Sequence, residues 1–166
     1  MSAQTVIDPM EVVRGRKRLQ GEFAVAQLDR LKDQLASTEG QVAYVVIGRL
    51  NERGEPSLRC ELRGSLGMQC QRCLEPMDYA LATTSDLLLV ENESALQEDD
   101  MEESDRVLAG SELDLKELVE DEILLALPMA PRHAEGKCAP AVADDGKAEV
   151  HPFAALAKLK TGKDTK

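Results

Sequence analysis

The spacing of apolar positions shifts repeatedly along the chain, and each shift predicts an element. Asp8-Pro9 pairs a capping side chain with a residue suited to the first helical turn, which predicts a short helix over 9–16. Residues 17–23 read as extended, broken at Gly21. Residues 24–36 carry Val25, Leu28, Leu31 and Leu35 at spacings of three, three and four, the stripe of an amphipathic helix ended by Ser37-Thr38-Glu39-Gly40.

The middle of the chain reads as an antiparallel β-meander. Residues 41–50 are apolar on both faces, with Val42, Tyr44, Val45, Val46 and Ile47, and 51–57 form a turn containing Gly54 and Pro56. In 58–69, Leu58, Cys60, Leu62, Leu66 and Met68 alternate with Arg59, Glu61, Arg63, Ser65 and Gln69, the pattern of a strand with one wet side. Residues 77–90 form a longer, bent third strand. A helix over 113–127 follows, with Asp114 as its cap, Leu115, Leu118, Val119, Glu122, Ile123 and Ala126 at helical spacing, and Glu117, Glu120 and Asp121 facing water; Pro128 ends it. A Pro/Ala/Gly-rich tail leads to a last short helix over 153–160. The expected fold is α+β: an antiparallel meander of about three to five strands packed with two or three helices, in a single domain spanning 1–166. Segment 91–111 is expected to be an acidic mobile loop, and 139–150 and 161–166 flexible.

Charge divides this picture. The 166 residues carry a net charge of −11, yet residues 91–122 hold 14 acids against 2 bases, so the rest of the chain is nearly neutral. Arg14, Arg16, Lys17 and Arg18 form a basic cluster, and lysines end the chain, so local contact with nucleic acid remains open. Aromatics make up 2%, too few for a base-stacking platform. The apolar runs are too short to cross a bilayer, and the first residues lack the basic-then-apolar pattern of a secretory signal. A cytoplasmic location with reduced cysteines is expected.

Cys70-Gln71-Arg72-Cys73 falls in the turn between the second and third meander strands. Such a pair can grip a metal ion from one side; with Cys138 and His133 it would complete the ligands of one Zn²⁺. Two other readings stay open: reduced thiols in a structural turn with a surface histidine, and a redox pair, although the motif does not open a helix that would activate a thiol. Cys60 is expected in the core. No Ser–His–Asp arrangement or phosphate loop appears, so the chain is not expected to be an enzyme.

CQRCLEPM at 70–77, LVEDEILLALPMAPRH at 118–133 and HPFAALAKLK at 151–160 together resemble the YceD-type family of large ribosomal RNA subunit accumulation proteins, as does IDPMEVV at 7–13. The resemblance covers nearly the whole chain, with the motifs in the family's order. The branch of plants and Gram-positive-like members carries further cysteines after the second motif, where this chain has only His133 and Cys138. The resemblance implies a non-enzymatic factor in accumulation of 23S rRNA and assembly of the large ribosomal subunit.

The partner it implies is 23S rRNA or a 50S assembly intermediate. Arg14, Arg16, Lys17, Arg18, Arg59, Arg63 and Arg72 are the candidate phosphate contacts. The alternative is an adaptor whose acidic loop holds a basic large-subunit ribosomal protein, and a thiol-redox protein ranks last. No membrane partner is expected.

Overall fold

In the computed structural model, residues 6–96, 105–110 and 112–138 are described. The expected helix over 153–160, the segments 139–150 and 161–166, and the middle of the acidic loop lie outside them.

Asp8 caps the first helix as its sequence predicts: its carboxylate accepts from the Glu11 N–H at 3.0 Å, and Pro9 opens α1, Pro9–Arg14. The preceding strand β1, Val6–Ile7, pairs antiparallel with β7, Leu113–Asp114, tying the start of the chain to the last helix. Between them runs one five-stranded sheet in the order β2-β3-β4-β5-β6. Its strands are β2 (Arg18–Ala24), β3 (Gln41–Leu50), β4 (Pro56–Gln69), β5 (Pro76–Val90) and β6 (Asp105–Leu108). All neighbours pair antiparallel except β6, which runs parallel to β5. The acidic segment is therefore not all loop: after a short helix α2, Glu93–Leu96, it later contributes this edge strand.

Register sorts the side chains. Leu19, Val46, Cys60 and Ser85 lie in one row across the sheet, and Phe23 pairs with Val42 in another. These rows face the core, which α3, Leu115–Ala126, closes with Leu115, Leu118, Val119 and Ile123, all buried. Each large aliphatic side chain fully withdrawn from water contributes roughly 1.5–3 kcal/mol before entropy is counted. At the end of the sheet α1 approaches so closely that a Cβ on Gly48 would collide with the Val12 carbonyl, so only glycine fits there. Phe23 stacks on Tyr44 with ring centroids 5.1 Å apart.

Two expectations fail. Residues 24–36 form no α-helix; they make two short 3₁₀ turns, Val25–Gln27 and Asp29–Leu31, with Leu28 at φ −91°, ψ 85° between them. Val25, Leu28 and Leu31 are nevertheless all 0% exposed. A strict spacing of three fits the three residues per turn of a 3₁₀ helix as well as it fits an α-helical stripe. Glu120, expected to face water, is 3% exposed, because the 3₁₀ turns pack over α3 and the Arg30 N–H donates to its Oε1 at 3.3 Å.

Candidate metal centre and basic sheet face

The turn between β4 and β5 is held by its backbone. The Cys70 N–H donates to the Glu75 carbonyl at 2.9 Å, and the Leu74 N–H donates to the Cys70 carbonyl at 2.8 Å. Leu74 takes a φ of +63°, which turns the chain back after Cys73. The segment after α3 then returns to this turn, where the Gln71 N–H donates to the Pro131 carbonyl at 2.8 Å. That hydrogen bond delivers His133 and Cys138 to the cysteine pair, across some sixty residues of sequence.

The four ligand atoms of Cys70, Cys73, His133 and Cys138 all lie within 4.8 Å of one another. Cys70 Sγ is 3.6 Å from Cys138 Sγ, Cys73 Sγ is 3.4 Å from His133 Nδ1, and Cys138 Sγ is 3.8 Å from the same nitrogen. A tetrahedral ion with Zn–S of ~2.3 Å has ligand–ligand edges of ~3.8 Å between sulfurs and slightly less to nitrogen. A disulfide needs ~2.05 Å, and the cysteines are free thiols. The cluster could hold one metal ion, and its sulfurs are too far apart for a disulfide.

The surroundings fit the same chemistry. His133 Nε2 lies 3.3 Å from the Pro76 carbonyl, so a proton on Nε2 leaves Nδ1 as the ligand atom. The His133 N–H points at Cys70 Sγ at 3.4 Å, and Arg72 Nε donates to Cys138 Sγ at 2.9 Å. Burial opposes ionisation of Cys70, but the N–H groups of Cys73, His133 and Arg72 outweigh it and lower its thiol to about 5. Cys138, with Cys70, raises the His133 pKa above its usual value, so in the free protein a proton competes for the site. By contrast, burial, reinforced by the charges of Glu122 and Glu61, pushes the Cys60 thiol up to about 12, so this cysteine is an inert part of the core.

The basic candidates separate into groups. Arg18, Arg59 and Arg63 share the face of the sheet opposite the core with three acids: Arg18 and Arg59 flank Ile47 in a row that ends at Asp86, Arg63 and Glu22 flank Ala43, and Glu61 stands between the two arginines of β4. Arg63, Ala80, Ala82 and Thr84 are exposed there. Arg14 sits in the last turn of α1, with Arg16 and Lys17 in the bend before β2, and Lys17 pairs with Glu11 at 2.6 Å. Arg72 stands apart, at the cysteine cluster.

Arg49, not among the candidates that the sequence offers, belongs with the face. Its guanidinium meets Asp86 at 2.8 Å, beside the two-pronged grip of Arg59 on the same carboxylate at 3.0 and 2.9 Å. It is hidden in a strand that reads as apolar on both faces; its even spacing from Ala43, Val45 and Ile47, which puts it on their face, is the signal. Arg59 above all, with burial opposing, holds the Asp86 carboxyl below its ordinary range.

Among the described residues no helix is long and apolar enough to cross a membrane. The family model of the large ribosomal RNA subunit accumulation protein YceD matches residues 58–160. A protein of Haemophilus influenzae named large ribosomal RNA subunit accumulation protein YceD is 26% identical over 165 residues, covering 93% of this chain and 94% of its own. No solved structure matches the chain. The family match takes in the cysteine turn, α3 and the returning His133 and Cys138, and on that ground the chain belongs to the YceD family of large ribosomal RNA subunit accumulation proteins.

Proposed function

We propose that this protein supports accumulation of 23S rRNA and assembly of the large ribosomal subunit by binding rRNA, or an early precursor particle, as a non-catalytic factor. Family membership supports the process, and one structural observation supports the mode: Arg18 and Arg63, distant in sequence and both exposed, fall on one face of the sheet, on either side of Arg59, whose guanidinium is held by Asp86. Guanidiniums on an aromatic-poor surface suit phosphates and sugars rather than base edges. Arg14 and Arg16, exposed at the end of α1 and in the bend before β2, lie next to Arg18 in sequence and add to the cations at this end of the chain.

The Cys₃His cluster holds one Zn²⁺ in this reading, as a structural clamp. All of its ligand positions come from the protein, which leaves no open site for chemistry. Its work is to fasten the segment after α3 to the β4–β5 turn. Deleting the gene tests the process: the ratio of 23S to 16S rRNA should fall and immature large-subunit particles should appear in sucrose gradients. Normal ratios and profiles, including in the cold, would refute it.

A further inference from the structure

On the helix-bearing side of the sheet, away from the arginine face, an open groove of about 490 Å³ runs between α3, β6 and β7. Leu87, Val107, Leu113, Leu118 and Leu124 line it, and Leu125 at its lip is 73% exposed. The carboxylates of Asp105, Asp114, Glu117, Asp121 and Glu122 belong to the same lining. Two cations accompany them, and both are engaged: Arg30 pairs with Asp121 at 2.5 Å, and Arg106 donates to the Ala95 carbonyl at 2.5 Å.

This combination selects its occupant. Excess negative charge repels a polyanion, so the groove is a poor surface for RNA. A bare cation would leave the aliphatic walls unused. A helix or strand laid in such a groove anchors aliphatic side chains in the floor and meets the rim with its charges. We propose that the groove docks a basic segment of a protein partner, one that carries aliphatic anchors flanked by Lys or Arg. The inference is independent of the RNA-binding reading and gives the protein two opposed surfaces, one for phosphate and one for a basic protein. It also moves the acidic capture element from the loop to a shaped surface on α3, where side-chain shape as well as charge is selected.

The test uses the full chain and a short fluorescent peptide of Lys and Arg with leucines at i, i+4 spacing, followed by anisotropy. A second peptide replaces the leucines by serine. The leucine peptide should bind, and the serine peptide should bind at least about tenfold more weakly, a difference of ~1.4 kcal/mol. Leu125→Ser and Glu117→Gln, both at exposed positions, should each weaken the leucine peptide while leaving the unfolding transition and rRNA binding unchanged. Equal binding of the two peptides, or indifference to both substitutions, would mean that charge alone attracts the peptide and would overturn the proposal. Self-association of the chain that Leu125→Ser abolishes would place a second copy in the groove, with the same consequence. Loss of rRNA binding together with normal peptide binding would count against the arginine face and leave the groove standing.

Discussion

Arg72 Nε donates to the Sγ of Cys138 at 2.9 Å, across 66 positions of sequence. Three thiolates and one neutral imidazole around Zn²⁺ carry a net charge of −1, and this guanidinium is placed to offset it. Arg72 is a candidate phosphate ligand by sequence, and in the structure it stands at the cysteine cluster. Arg72→Gln is expected to lower zinc affinity by about 10- to 100-fold, the range for losing a partner of a metal ligand. RNA affinity should change little. Competition against a colorimetric chelator measures the first quantity and filter binding the second.

Removing the metal should loosen one region more than the rest. Zinc at a free concentration about a thousandfold above its Kd stabilises the folded chain by ~4 kcal/mol. Chelation, or Cys73→Ser, is therefore expected to lower the melting temperature. It should also speed amide exchange at Gln71, whose N–H is held by the Pro131 carbonyl, well before exchange rises in β3. Exchange mass spectrometry with and without chelator checks this, alongside metal analysis showing one zinc per chain.

Glu122 supplies a pH dependence of the less common sign. Burial raises its carboxyl above the ordinary value of 4.5, with the nearby charges of Asp105 and Asp121 adding to it. The folded state then binds a proton that the unfolded state has released. Stability contributed here is greatest below the unfolded pKa, declines as pH rises toward the folded pKa, and is flat beyond it. Glu122→Gln should remove this slope and raise stability at neutral pH. Denaturant titrations of both forms from pH 4 to 8 (a span of about four units around the carboxyl range) read the difference directly.

The antiparallel strands were legible because strand alternation has a period of two and a register slip would turn Leu58, Cys60 and Leu62 outward; the short parallel strand β6, within the segment read as a loop, was not. The capped helices were legible for a similar reason: Asp8 and Asp114 each accept from the backbone they were expected to cap. What failed were features decided by tertiary packing. Residues 25–31 bury their aliphatic side chains in either type of helix, and packing chose the 3₁₀ form. Glu120 is buried by an element whose position no local pattern encodes. The metal cluster was half legible, since the CxxC spacing fixes one pair of ligands. His133 and Cys138 could be named as the other pair, but what brings them in is tertiary: the Gln71–Pro131 hydrogen bond and the contacts of His133 with Cys70 and Pro76 and of Cys138 with Arg72.

Gly48 tests the packing of α1. Gly48→Ala puts a methyl group against the Val12 backbone, and overpacking of this kind costs roughly 1–3 kcal/mol. The helix must shift, and Arg14 in its last turn moves with it. The variant is expected to lose both stability and some RNA affinity, as urea unfolding and filter binding would record.

The most direct measurement is the salt dependence of binding to a 23S rRNA fragment, for the wild-type chain and for a variant with Arg14, Arg16, Arg18 and Arg63 changed to Gln. All four side chains are exposed, so the fold should survive, whereas removing Arg59 would strip Asp86 of its two-pronged partner. Each neutralised phosphate contributes about −0.7 to the log–log slope on single strands and about −0.9 on duplex DNA. The account predicts that the variant binds at least about tenfold more weakly, with a slope shallower by about 0.7 for every phosphate no longer neutralised on a single strand. Wild-type protein that does not bind, or a variant with unchanged affinity and slope, would contradict it.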